Sequence, residues 1–439
     1  MNIAFLSLGC AKNLVNTEQM MALCAAQGWN VTTQPQGADV AVLNTCGFIE
    51  SAKSEAIDHI LALAQLKDQG LLGKLLVAGC LSQRYQDEML EELPEIDGLL
   101  GTGSYTDIVE AVKAVMDGDC PTYFGDIHHT IEDGQRLVTK PLYSAYLKIA
   151  EGCDNHCAYC VIPSLRGRYR SREMDSLLSE ARSLADQGVK ELIVVAQDIT
   201  RYGLDLDGKR QLPQLLIELC KLPFHWIRLH YLYPDEFTDE LIDVIANQPK
   251  IVKYLDIPIQ HVNDAILKRM NRRGTKAEIE ALFAKLRSRI PGLVIRTSII
   301  TGLPGEGEAE FEELCDFLRK AQLERAGVFP FSPEEGTPAF DMADRVDAET
   351  AQRRAELLVD LQSRVMDVYN ERRLGTVMEV LCEGFDPAQG CYAGRTYADS
   401  ADVDGHVTFT AAGTVAAGSF VNVRVTGVEN GNLTGEVEE

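Results

Sequence analysis

The 439-residue chain carries 42 basic against 66 acidic side chains, a net charge of −24, with 46% apolar and 25% charged residues. That length implies two to four domains, and the composition excludes a disordered or fibrous chain. The acidity opposes broad contact with nucleic-acid backbone, no apolar run approaches the roughly 18 residues of a bilayer span, and the opening MNIAFLSLGC lacks the marks of a signal peptide, so a cytoplasmic protein without a membrane partner is expected.

Ile3–Leu8 reads as a buried strand, Thr17–Gln27 as a helix stopped at Gly28, and Val40–Thr45 as a second buried strand. Ser51–Lys67 follows as an amphipathic helix with Ile57, Ile60, Leu61 and Ala64 on one face. A strand at Lys74–Ala78 and a helix at Tyr105–Met116 complete the pattern. Strand–helix alternation with short apolar strands predicts an α/β domain built on an open parallel sheet, over residues 1–120. Asp117–Lys140, of mixed polarity, reads as a linker.

Residues 139–370 repeat the strand–helix unit. Candidate strands are Ala145–Ile149, Leu192–Ala196, Ile227–Tyr231, Tyr254–Pro258, Val294–Ile300 and Ala326–Phe331. Six units predict a partial (β/α)6 barrel, short of eight-stranded closure. A long helical pattern at Ala351–Arg373 leads into residues 373–439. There, Val-, Thr- and Gly-rich runs at Val377–Cys382, His406–Thr410 and Phe420–Thr426 predict a small antiparallel β-barrel.

Twelve cysteines in a reducing compartment are buried hydrophobes, nucleophiles or metal ligands rather than a disulfide framework. EGCDNHCAYCVIP places Cys153, Cys157 and Cys160 in a C-x3-C-x2-C spacing directly after the first barrel strand. Three thiolates on one loop suit three corners of a 4Fe–4S cluster and leave the fourth iron open to a ligand. The competing reading is zinc, with His156 or a distant residue as fourth ligand. Tyr159, between the last two cysteines, and the six-unit repeat that follows favour the cluster.

Cys10, Cys46 and Cys80 are far apart in sequence, yet each closes a candidate strand: FLSLGC, VLNTCGF and LLVAGC. In an open parallel sheet, sites gather beyond the carboxyl ends of the strands. Gly9, Gly47 and Gly79 flank these cysteines and permit close backbone approach. One such cysteine would pass for a core residue; three in one domain point to a second ligand set. Cys24, Cys120, Cys220, Cys315, Cys382 and Cys391 show no such pattern and read as structural.

The C-x3-C-x-aromatic-C loop before a partial barrel resembles the radical S-adenosylmethionine (SAM) superfamily. With SLGCAKNLVNTE, NTCGFIESAKSEAI, AGCLSQRY and GRTYADSADVDG, the chain resembles the methylthiotransferases over nearly its whole length. The resemblance implies two 4Fe–4S clusters, SAM as methyl donor and radical source, a C-terminal TRAM barrel, a reducing electron donor, and insertion of a methylthio group at a C–H bond. It implies further that Cys153, Cys157 and Cys160 hold the SAM-binding cluster, and that Cys10, Cys46 and Cys80 hold the cluster where the methylated sulfur sits. Tyr159, Gln197, Gly302 and Glu306 match segments expected to contact the cofactor, although each would also serve as ordinary turn chemistry. Some of Arg166, Arg168, Arg170 and Arg172 would face the cofactor carboxylate or a cluster, or else form a solvated basic turn.

HYLYP (His230–Pro234) and PIQH (Pro258–His261) resemble the branch that modifies an aspartate of small-subunit ribosomal protein twelve. The other branch modifies isopentenyl-adenosine in tRNA. His230, Tyr231 and Tyr233 are candidates for the substrate mouth, His230 with the alternative of a satisfied core residue. DSADVDG has Ala401 where the family often has proline, which would affect a turn only. From Gly375 to Glu439 there are two basic and ten acidic side chains, a net of −8. Such a surface suits a basic ribosomal protein, free or in the small subunit, and little direct nucleic-acid affinity is expected. An iron–sulfur carrier without turnover, or a zinc-containing RNA-binding protein, are the remaining classes; the complete barrel disfavours the first and the acidity the second.

Overall fold

Period-two alternation along the first strands sorts their side chains onto two covered faces. β1 (Asn2–Ser7), β2 (Asn30–Thr32), β3 (Ala38–Thr45), β4 (Leu72–Gly79), β5 (Gly98–Leu100) and β6 (Thr122–Tyr123) form an all-parallel sheet in the order β2–β1–β3–β4–β5–β6. Ile3, Phe5, Val40 and Val42 pack with the helices Ala11–Ala26 and Ile108–Asp117; Ala4, Ala41, Leu43 and Val77 pack with Glu50–Asp68. The computed structural model describes residues 1–129, 134–139, 141–401 and 403–438.

Two expectations in this domain are corrected. The first helix starts directly after Cys10, ahead of Thr17. Its opening turns carry Lys12, Asn13 and Asn16, which look like solvent residues but are buried against the second domain. In the next helix, Ile57 and Leu61 are 38% and 42% exposed. The stripe that meets the sheet is Ala56, Ile60, Leu63 and Ala64, an i, i+4, i+7, i+8 face rotated by about one residue.

The second sheet contains β7 (Ser144–Lys148), β10 (Glu191–Val195), β11 (Trp226–Leu229), β12 (Ile251–Asp256), β13 (Val294–Thr301) and β14 (Arg325–Pro330), all parallel and in sequential order. β7 and β14 are its edges, so the barrel is open along one side. β8 (Ala150–Glu151) and β9 (Arg170–Ser171) form a ribbon that brackets the cysteine loop. The Ala348–Glu371 helix packs on β13 and β14.

β15 (Val377–Asp386), β16 (Cys391–Arg395), β17 (Val407–Thr410), β18 (Phe420–Glu429) and β19 (Asn432–Val437) close a small barrel. Four of its strand contacts are antiparallel and the β17–β19 contact is parallel, a departure from the all-antiparallel expectation.

The segment between β16 and β17, expected to be a turn, plugs the base of the six-stranded barrel. Arg395 donates to Glu191 (2.7 Å), which also accepts from Arg228 (2.9 Å). Arg325 donates to Asp399 (2.7 Å), and Tyr254 Oη donates to Asp404 (2.6 Å), whose other oxygen lies 3.6 Å from Arg296. Asp399 and Asp404 therefore add little to a surface field, which corrects the reading of the −8; Glu379, Glu429, Glu436 and Glu438 remain exposed. The expected linker also does more than connect. Arg136 is buried and reaches Glu18 (3.1 Å) and Glu180 (3.0 Å), clasping the first domain to the barrel helix Met174–Asp186. Residues 130–133 and 140 of that linker lie outside the described residues. Among the described residues, no helix is long and apolar enough to cross a membrane.

Candidate functional site: two cysteine triads at a domain boundary

Strand register assembles the first triad. Thr45 of β3 pairs with Gly79 of β4, so Cys46 and Cys80 leave the sheet side by side. Ser7 of β1 pairs with Asn44, which brings the loop carrying Cys10 to the same edge. Gly9 is required there: with φ +81, a Cβ on it would lie 2.6 Å from that of Cys46. Asn13 stitches the edge together, its amide donating to the carbonyls of Leu8 (3.1 Å) and Thr45 (2.9 Å). Each of the three thiols lies within electrostatic reach of the other two.

The environments of these thiols differ. Burial pushes Cys10 up, but Lys12 and Arg166 outweigh it and hold it below the usual thiol value. Burial pushes Cys46 up to about 12 and also raises Cys80, against the pull of Arg166. Two nearby cations thus favour negative charge at this edge, which suits thiolate ligands.

The second triad sits on the loop after β8. Cys153, Cys157 and Cys160 lie within electrostatic reach of one another, and burial raises Cys153 to about 11 and Cys160 further. Asp198 fixes this loop by accepting from Asn155 (3.0 Å) while capping the next turn through the Thr200 amide (3.0 Å). Arg272 lies 3.7 Å from the Cys157 sulfur and donates to the Tyr159 hydroxyl (3.2 Å) and to the Pro258 carbonyl (2.6 Å). His156 is exposed at φ +50. Among the described residues, no three His, Cys, Asp or Glu side chains are gathered tightly enough for a single metal ion. A cuboidal cluster takes its thiolates on separate irons, and the all-thiol donor sets fit that requirement.

The short helix Ile162–Arg166 follows the second triad in the chain and packs on Cys80 of the first. Cys80 packs with Val161, Leu165 and Phe48, and Val161 directly follows Cys160. Arg166 at the end of this helix is buried, donates to Glu151 (2.9 Å) and reaches Asn13 of the first domain. Glu151 also accepts from Lys148 (2.7 Å) and Gln197 (2.8 Å); Arg166 and Lys148 outweigh its burial and hold its carboxyl well below the usual range. A second bridge joins Arg84 and Lys53 of the first domain to Glu334 (2.6 and 3.2 Å).

Of the expected cofactor contacts, Tyr159 has its hydroxyl against Arg272 and Gln197 donates to Glu151. Glu306 and Gly302 sit differently. The Glu306 carboxylate is buried, accepting from the Gly302 amide (2.9 Å) and Arg354 (2.9 Å) and lying 3.3 Å from His261. Gly302, at φ +75, is a glycine because the helix Ala348–Glu371 crosses it: a Cβ there would be 2.3 Å from that of Ala351. His230 turns to the Ser400 hydroxyl of the plug (2.9 Å), away from the mouth, and burial pushes it down to about 4. Of the four arginines, Arg166 and Arg172 are buried and ion-paired while Arg168 is exposed. Lys12, Asn13, Glu151 and Arg272 were not singled out from sequence; each becomes notable only once the domains meet.

Residues 147–318 match the radical SAM superfamily, residues 2–101 match Uncharacterized protein family UPF0004, and residues 374–437 match the TRAM domain. The ribosomal protein uS12 methylthiotransferase RimO of Desulforamulus reducens is 46% identical over 442 residues, covering 100% of both chains. The chain belongs to the uS12 methylthiotransferase family. The RimO proteins of Pelotomaculum thermopropionicum (47% identical) and Geobacter sulfurreducens (46%) each match over 99% of this chain and 98% of their own. Among solved structures, the radical SAM methyltransferase TsrM of Kitasatospora setae, with tryptophan and a SAM analogue bound, superposes with a TM-score of 0.59. At 14% identity, over 84% of this chain and 90% of that one, it shows that this methylthiotransferase shares the fold.

Proposed function

We propose that this methylthiotransferase inserts a methylthio group at the β-carbon of an aspartate in ribosomal protein uS12, using two 4Fe–4S clusters and SAM. The single observation that carries the reading is the contact between the two all-cysteine segments, with Cys80 packed on Val161, the residue after Cys160, and on Leu165 of the short helix that follows. Cys153, Cys157 and Cys160 would hold the SAM-binding cluster, and Cys10, Cys46 and Cys80 the second. When bound, these groups supply a radical that takes hydrogen from an unactivated carbon, together with the sulfur and methyl that replace it. The chain's own residues orient and enclose. Asp198 and Asn155 fix the cysteine loop, Arg272 compensates negative charge at Cys157, and Gln197, Glu151 and Arg166 form one buried network from barrel to first domain.

The substrate would be uS12, free or in the small subunit, met by a cytoplasmic enzyme that draws electrons from a reducing donor and has little affinity of its own for RNA. The basic partner is favoured by the remaining exposed acidic side chains and the overall −24 charge. The test is a paired assay of the reconstituted enzyme with uS12 and with tRNA carrying isopentenyl-adenosine. A methylthio mass gain on the protein alone, weakening as salt rises, is expected. A gain on the tRNA alone overturns the reading.

A further inference from the structure

Among the described residues, the buried cation Lys12 has no carboxylate partner; its charged neighbour is the Cys10 sulfur. Its side chain is 7% exposed, two positions beyond Cys10, and its Nζ lies 3.7 Å from the centroid of the Tyr231 ring of the barrel. Buried ammonium groups are rarely left without a carboxylate. Four other buried cations near this boundary have one: Lys148 and Arg166 share Glu151, and Arg136 and Arg172 share Glu180.

The residue that covers Lys12 is itself in an unusual state. Tyr231 adopts φ +63, left-handed backbone that a bulky side chain seldom takes and that clusters at functional sites. Its backbone is held on both sides, the amide donating to Asp256 (3.4 Å) and the carbonyl accepting from Ile199 (3.0 Å). It follows β11 at the carboxyl end of the barrel, where barrel active sites lie. The pair therefore straddles the boundary between the two cysteine-bearing domains.

We propose that Lys12 selects an acidic side chain as substrate: its ammonium takes the target carboxylate, which displaces the Tyr231 ring as its partner. The inference rests on an aspartate being the target. In aspartate the β-carbon is bonded directly to the carboxylate carbon, so anchoring that group beside Cys10 fixes the reacting carbon between the triads. Cation–π contact with Tyr231 keeps the ammonium partnered until substrate arrives.

The test uses reconstituted holoenzyme as wild type, K12M and K12R, with uS12 bearing either aspartate or asparagine at the target position. Binding is titrated without SAM; turnover is followed separately. K12M is expected to weaken binding of the aspartate form about tenfold or more, leave the asparagine form unchanged, and raise KM more than it lowers kcat. K12R is expected to retain most of the preference. Arg166 still faces Cys10 in K12M, so iron content and the cluster spectrum are expected to match wild type. Equal weakening of both forms, an unchanged preference, or loss of iron from K12M overturns the proposal, the last by making Lys12 a counter-charge to the cluster. Wild-type enzyme that leaves uS12 unmodified defeats the proposed function instead, so the two failures are distinguishable.

Discussion

The two ends of the six-stranded barrel are both sealed by another domain and both filled with buried charge, yet their bookkeeping differs. At the base, Glu191 meets Arg228 and Arg395, Asp399 meets Arg325, and Asp256 and Asp404 meet Arg296. At the mouth, Lys12 has an aromatic ring and Arg272 has a cysteine sulfur in place of carboxylates. The matched end has the chemistry of a fixed joint. The mouth, where Lys148 and Arg166 share Glu151, also keeps two cations without a carboxylate among the described residues, for which we propose clusters and substrate as the complement. Buried charge alone therefore does not mark a site; buried charge without its complement does.

Four perturbations sharpen that contrast. The largest effect is expected at the mouth: Cys157→Ala removes a proposed cluster ligand and should abolish 5′-deoxyadenosine formation from SAM under reducing, anaerobic conditions. Chromatography of the quenched reaction reads this directly. At the base, Glu191→Gln leaves Arg228 and Arg395 buried without their shared charge, at a cost of about 3–5 kcal/mol in chemical denaturation. Next comes His230, whose pKa of about 4 lies below its ordinary value of 6.5 because of burial. Between those values the unfolded chain binds the extra proton and the folded one does not. Stability is therefore expected to fall by about 3 kcal/mol as pH drops from 6.5 to 4, and His230→Gln should lack that share of the slope. Smallest of all, Asp360→Ala breaks an exposed pair with Arg364 and should change stability by under about 1 kcal/mol, measured by thermal unfolding.

The sequence made the fold largely legible because strand-end cysteines and strand–helix alternation are local signals. FLSLGC, VLNTCGF and LLVAGC announce one sheet edge, and strand register confirms it. What could not be read was contact between distant segments. GRTYADSADVDG looks like a turn because nothing local says that Asp399 and Asp404 meet Arg325 and Arg296. His230 looks like a site residue from its place after a strand, but its ring meets Ser400 of the third domain. Gly302 reads as a cofactor contact, whereas the space at its Cα is taken by Ala351. Lys12 and Asn13 fall between the expected strand and helix, and their burial depends on the barrel that the first domain lies against.

The central claim is that the two triads hold separate clusters with separate tasks. Its most direct test is the Cys10→Ala, Cys46→Ala, Cys80→Ala triple variant, reconstituted anaerobically and compared with wild type for iron, 5′-deoxyadenosine and the mass of uS12. We expect about half the iron, continued 5′-deoxyadenosine formation, and no methylthio gain on uS12. Unchanged iron content, or a methylthiolated uS12, would contradict the account.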